Sequence, residues 1–310
     1  MSENHQRTRL HTNGAWGSRA VWAVFLAGPV GIAAADTYLA LGDSLAFGYS
    51  TFFDTPQNFG DNGYVSRFAD HLAGVRGTRP EVVNFAVPGE SVEEFFAGSG
   101  FGYLYNRNYF DLAAPLDGPL TTQAELLAGV LAEHESGART ITNVTVQIGV
   151  NDLFQLADTP GFFDQSLGSQ LAAVNAALVD IVGGVDAMLS DIRASAPGAD
   201  VRVVGYYNPF AILPSDPLSP LADLATSPLN DSLRATALAN GASFVDVFDL
   251  FAGRESELTR ILTIDALGDA NIHPTEAGYD VLADAIIAVP APSAMVIFGL
   301  GVACSTRRRR

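Results

Sequence analysis

Thr37-Tyr38-Leu39-Ala40-Leu41-Gly42-Asp43-Ser44-Leu45 is the stretch on which the reading of this chain turns. A hydrophobic run reads as a buried strand and passes straight into a serine turn. In open α/β sheets ligands bind beyond the carboxyl ends of parallel strands, so a strand ending in Gly-Asp-Ser can expose the hydroxyl there. A serine becomes a nucleophile only when a neighbouring base takes its proton. Alone the tetrapeptide is equally an ordinary strand-to-helix turn.

Similar apolar, β-rich runs recur at Val82–Val87, Val144–Ile148, Val201–Tyr206 and Phe244–Phe248. Amphipathic helical patterns separate them at Tyr64–Val75, Thr122–Glu135, Leu167–Ala194 and Leu221–Asn240, with Glu276–Ala288 last. Short apolar strands alternating with helices predict an α/β fold whose parallel sheet is covered on both faces. No repeat or linker interrupts the pattern, so one domain over 36–289 is the simplest partition. Ala97–Leu120, rich in Gly, Tyr, Phe and Asn, reads as a long loop, and Pro209–Pro228, with five prolines, resists regular structure in its first half; both read as substrate walls or lids, or as surface decoration.

Both ends of the chain read as targeting segments. Residues 1–35 form a signal peptide: arginines, an apolar run from Ala20 to Ala34, and small residues for cleavage before Asp36. At 290–310, Pro290-Ala291-Pro292 precedes the apolar stretch Ala294–Cys304 and four arginines. An apolar stretch of that length, about 16 Å as a helix, is too short to cross a bilayer. The lone Cys304 allows no internal disulfide.

The 310 residues include no lysine; all 17 basic residues are arginine. Setting aside the terminal arginines, ten remain against 33 acidic residues, a net −23. Such a surface repels nucleic acid, which excludes a nucleic-acid partner.

If Ser44 is a nucleophile it needs an imidazole. His5 and His11 leave with the signal, His71 sits mid-helix, and His134 lies near a helix end where it suits the dipole. Elimination favours His273 in Asn271-Ile272-His273-Pro274, with the proline opening the last helix. Acyl transfer also needs donors for an oxyanion. Gly89, in Val87-Pro88-Gly89-Glu90, and Asn151, in Gly149-Val150-Asn151-Asp152, both follow predicted strands. Each alone is equally a turn or a helix cap. No zinc-ligand spacing, Walker motif or dinucleotide fingerprint occurs, so neither metal nor cofactor is expected.

Gly42-Asp43-Ser44-Leu45, Gly89, Gly149-Val150-Asn151-Asp152 and His273-Pro274 together resemble, in order, the blocks of the SGNH (GDSL) hydrolases. The resemblance implies a flavodoxin-like three-layer α/β/α sandwich with a five-stranded parallel sheet of order 2-1-3-4-5. It makes Ser44 the nucleophile and His273 the base, with the N–H groups of Ser44 and Gly89 and the Asn151 side chain as the oxyanion hole. No Gly-x-Ser-x-Gly elbow occurs, which argues against an α/β-hydrolase. The tail resembles the PEP-CTERM sorting signals of exopolysaccharide-producing Gram-negative bacteria, with Ala291 where glutamate is usual. That implies export to the periplasm, cell surface or medium, a sorting protease acting on the tail, and association with exopolysaccharide.

One position departs from the family pattern. The aspartate that usually stands three residues before the histidine is Ala270, and Asp269 lies one residue earlier. Asp269 through a local bulge, a backbone carbonyl in a Ser-His dyad, and Asn271 are the three possible partners of His273, and Asp269 is taken as the third catalytic residue. The expected function is an exported serine esterase or lipase acting on lipid or acylated-sugar esters without a cofactor. The alternatives are a carbohydrate acetyl esterase acting on exopolysaccharide, and a non-catalytic surface or matrix-binding protein.

Overall fold

The computed structural model describes residues 36–49, 61–98, 122–216, 218–264 and 270–290. The chain divides into a unit Met1–Ala33, outside those residues, and a unit Ala34–Arg310 that contains every element below. In order these are β1 (Asp36–Gly42), α1 (Ser44–Phe47), α2 (Gly63–Arg76), β2 (Glu81–Asn84), α3 (Val92–Ala97), α4 (Gln123–Glu135), β3 (Thr140–Gln147) and α5 (Val150–Ala157). There follow α6 (Leu167–Ser195), β4 (Asp200–Val204), a 3-10 turn at Pro209–Ile212, α7 (Ser219–Ala239), β5 (Ser243–Val245), α8 (Phe248–Phe251), α9 (Glu255–Leu258) and α10 (Glu276–Ala288).

The five strands pair in parallel in the order β2-β1-β3-β4-β5. From β1 the chain steps one way to β2, then crosses back through β3 to β4 and β5. Right-handed crossovers therefore put α2 on one face and α4, α6 and α7 on the other. Packing agrees, because α10 lies against α2 while α6 packs on both α4 and α7. This is the flavodoxin-like sandwich that the resemblance implied.

Coverage on both faces explains why β1 is an unbroken apolar run: Tyr38, Leu39, Ala40 and Leu41 are all fully buried. Inside the sheet the Tyr38 hydroxyl meets Thr145 Oγ1 at 2.8 Å.

Regular pairing in β2 stops at Asn84, short of the predicted Val87. Asn84 Oδ1 accepts from the Ala86 N–H at 2.9 Å and its Nδ2 donates to the Ala46 carbonyl at 2.9 Å, bending the backbone. The bent segment stays tied to β1 through Phe85 N–H to Ala40 O and Val87 N–H to Gly42 O, both 2.9 Å. β5 likewise ends early, where Asp246 Oδ1 accepts from the Phe248 N–H at 3.1 Å and starts α8.

The Pro209–Pro228 region has one short 3-10 turn in its first half and passes into helix in its second. It holds the 3-10 turn and the start of α7, with Pro220 in the first turn, where a missing N–H costs nothing, and Pro228 inside the helix. Past Gly98, the stretch Ala97–Leu120 lies outside the described residues, as do residues 291–310.

Both ends of the described domain sit at the amino edge of the sheet. β1 begins there at Asp36. The Pro290 carbonyl accepts from Oγ of Ser243, the first residue of β5, at 3.2 Å. Arg202 in β4 donates to the Ile286 carbonyl near the end of α10.

Candidate active site

At the carboxyl edge, β1 ends in Gly42 with φ at +135°, and a Cβ there would lie 1.9 Å from the Gln147 carbonyl oxygen. Only glycine fits. The buried Gln123 side chain brackets this peptide: its Oε1 accepts from the Gly42 N–H at 3.1 Å and its Nε2 donates to the Gly42 carbonyl at 2.8 Å. Asp43 then caps α1, its Oδ1 accepting from the Leu45 N–H at 2.9 Å. Ser44, 8 % exposed, is the first residue of α1, so its N–H has no carbonyl one turn back to bond.

Asp43 is fully buried beneath the turn, and its Oδ2 accepts from the Tyr206 hydroxyl at 2.6 Å. Burial pushes its pKa up to about 7, against the opposing pull of the Tyr206 and Leu45 hydrogen bonds.

Gly89 lies in the turn after β2 at φ +83°, and a Cβ built on it meets nothing within 4 Å among the described residues. Asn151 stands in the first turn of α5, directly after β3. Its Nδ2 donates to the Glu90 carbonyl at 2.9 Å, joining the loops of β2 and β3. Next to it, the Asp152 carboxylate accepts from the Val92 N–H at 3.0 and 3.2 Å, fastening the start of α3 to the start of α5. Burial raises the Asp152 pKa to about 6; the Val92 bond opposes this, and the charges of Glu94 and Glu93 add to it.

His273 lies between α9 and α10, half-buried, in a segment bonded on several sides. Its carbonyl accepts from the Arg260 N–H at 2.8 Å, and the Tyr207 hydroxyl donates to the neighbouring Ile272 carbonyl at 2.7 Å. Its ring meets that of Tyr49 at 4.5 Å between centroids, tilted 58°. Tyr49 belongs to the serine turn, since its N–H donates to the Ser44 carbonyl at 2.9 Å. The Tyr279 hydroxyl of α10 closes the link by donating to the Tyr49 carbonyl at 2.6 Å. Pro274 does not open α10; Thr275 is the N-cap, accepting from the Gly278 N–H, and the proline lies one residue outside.

Asn271 is buried, and its Oδ1 lies 2.8 Å from His273 Nδ1 and 3.1 Å from the His273 N–H. Asp269 lies outside the described residues. The aromatic residues Phe52, Phe53, Phe59, Phe101, Tyr103, Tyr105, Tyr109 and Phe110 also lie outside them.

Ser44, Gly89 and Asn151 thus stand on the adjacent strand ends β1, β2 and β3, and Tyr49 brings the His273 loop to the serine turn. The strand-end motifs were legible one by one. The long-range bonds that fasten them together, made by Gln123, Tyr49, Tyr206 and Tyr207, carried no local signal, because each joins residues far apart in the chain. Among the described residues no group of three or more His, Cys, Asp or Glu side chains is arranged to hold a metal ion.

The family model for GDSL-like lipase/acylhydrolase proteins matches residues 40–281, and that for the PEP-CTERM protein-sorting motif matches residues 288–310. No curated protein matches the chain by sequence. Among solved structures, a lipase from a goat rumen metagenome is 20% identical at TM-score 0.54, covering 81% of this chain and 96% of its own. The extracellular lipase of Streptomyces rimosus is 23% identical at TM-score 0.53, covering 81% and 100%. An acetylxylan esterase from Geobacillus stearothermophilus is 17% identical at TM-score 0.50, covering 83% and 94%. At these identities the likeness is one of fold.

Proposed function

Since the chain belongs to the GDSL-like lipase/acylhydrolase family, we propose that it is an exported serine esterase whose catalytic domain spans 36–289. Ser44 Oγ attacks the ester carbonyl and His273 Nε2 takes its proton. The oxyanion is held by the N–H groups of Ser44 and Gly89 and by Asn151 Nδ2, which carries a second hydrogen beyond the one given to Glu90. His273 then protonates the leaving alcohol and activates water for deacylation. The observation that supports this most is the meeting of three donor-bearing loops at neighbouring strand ends with a histidine segment bound to the serine turn through Tyr49.

A PEP-CTERM motif over 288–310 supports export and recognition of the tail by a sorting protease. Between Asp36 and the tail, the enzyme would act in the periplasm, at the cell surface or in the medium. Asp269, expected from its place in the chain as the third catalytic residue, lies outside the described residues and is one of three candidate partners of His273 beside a backbone carbonyl and Asn271.

The test is labelling with a fluorophosphonate probe, followed by a p-nitrophenyl ester series of rising chain length run beside acetylated polysaccharide. Labelling of the wild type and its loss in Ser44→Ala is expected. Folded wild-type protein that takes no label would overturn the enzymatic reading in favour of a binding protein. Preference for acetate on sugar would move the substrate from lipid esters to carbohydrate esters.

A further inference from the structure

We infer that Asn271 is the positioning residue that fixes the tautomer of His273, so that a neutral carboxamide does work usually given to a carboxylate. The inference rests on the proposed role of His273 as base and deepens it.

The argument starts from which amide atom faces the imidazole. Oxygen and nitrogen of an asparagine side chain look alike, and their assignment follows from the bonds they make. The atom 2.8 Å from His273 Nδ1 also lies 3.1 Å from the His273 backbone N–H. A backbone N–H can only donate, so its partner must be the oxygen. That oxygen cannot donate to Nδ1, so in neutral His273 the ring proton sits on Nδ1 and the lone pair on Nε2. Nε2 is the nitrogen that must be unprotonated to take a proton from serine.

Asn271 is itself held for this task. Its side chain is 1 % exposed, and its N–H donates to the Thr263 carbonyl at 2.9 Å. The Tyr207 hydroxyl holds the Ile272 carbonyl between the two residues, and Arg260 holds the His273 carbonyl. The tripeptide is therefore fixed at each backbone step, which leaves the imidazole little freedom except about its own side-chain torsions.

A carboxamide and a carboxylate differ in one respect that can be measured. Both accept the Nδ1 proton, but only the carboxylate adds a negative charge that favours the imidazolium. Asn271→Asp should keep the tautomer and raise the pH at which His273 gains its second proton. The acid limb of the kcat/KM profile then moves to higher pH, because activity is lost once Nε2 is protonated.

The experiment is 15N NMR of the histidine ring nitrogens in the full-length protein, with His273→Gln to assign the signals. It is paired with kcat/KM profiles of wild type, Asn271→Leu, Asn271→Asp and Asp269→Ala. We expect neutral His273 to be protonated at Nδ1 in wild type, in Asn271→Asp and in Asp269→Ala. In Asn271→Leu the proton should shift towards Nε2, and kcat should fall on the order of a hundredfold or more. A wild type protonated at Nε2, or an Asn271→Leu variant that keeps Nδ1 protonated, overturns the inference. A collapse of rate in Asp269→Ala with Asn271→Leu near wild type does so as well. An inactive wild type would count against the esterase reading, while the NMR signals decide the tautomer independently of turnover.

Discussion

At Gly42, the methyl added by Gly42→Ala would sit 1.9 Å from the Gln147 carbonyl oxygen on a backbone held at φ +135°. Steric overlap and an unfavourable dihedral act together there, and neither can relax without parting β1 from β3. We expect a loss of at least about 3 kcal/mol, read as a lower urea midpoint. Asp43, one residue on, has a pKa shifted up by folding, the opposite of the usual shift for a paired carboxylate. Its pKa rises from 3.8 unfolded to about 7 folded, so the native state binds its proton more tightly. Its effect on stability is favourable below the unfolded value and is lost as pH climbs through the folded one. The urea midpoint should therefore fall between about pH 4 and pH 7, and Asp43→Asn should flatten that fall. An equal slope in wild type and variant would assign the pH dependence to other groups. The aspartate itself was visible in the Gly-Asp-Ser turn. Its perturbation was not, because it depends on burial beneath the turn, which only the assembled sheet creates, and Tyr206 from another strand end only partly offsets it.

At the scale of elements, the strands and long helices were legible because each had a local cause. β1 is apolar throughout since both faces are covered, and α4 opens on a capping box in which Thr122 and Glu125 satisfy each other's backbone N–H. Short elements were missed, and only in part for a physical reason. α3 opens on a capping box of Ser91 and Glu94 that the sequence reading passed over, whereas its fastening to α5 by the Asp152 carboxylate is a long-range bond that no local pattern shows. The third partner of His273 was open for the same reason: three candidates lay within four residues, and only side-chain geometry separates them.

α4 also carries a device that no helix pattern could reveal, the Gln123 clamp on Gly42. Gln123→Glu keeps an acceptor for the Gly42 N–H, but when ionised it sets a second oxygen against the Gly42 carbonyl. Protonation restores the missing donor, so the variant's carboxyl is favoured in its neutral form. We expect this variant to be less stable than wild type at neutral pH and to approach it as the solution is acidified. Thermal unfolding at several pH values checks this, and a deficit independent of pH would mean that the clamp acts only by shape.

For the whole molecule, charge is the dominant property. Ten arginines against 33 acidic residues leave a domain that repels itself, even though arginines such as Arg67, Arg79 and Arg139 each pair with two carboxylates. Screening by salt weakens long-range repulsion more than it weakens close pairs. The Tm should therefore rise from low ionic strength to about 0.5 M NaCl, where the Debye length falls to a few ångströms. A Tm that drops over this range would show the ion pairs outweighing the repulsion. The parallel sheet also gives the molecule two unlike poles. Asp36 and the Ser243–Pro290 contact mark one, and the loops carrying Ser44, Gly89 and Asn151 mark the other, separated by a strand of seven residues, about 20 Å. A domain held close to Asp36 or Pro290 therefore presents the loops of the proposed site at its far pole. Coupled to a bead through a handle placed after Pro290, the enzyme should work on a dissolved polymer nearly as fast as it does when free.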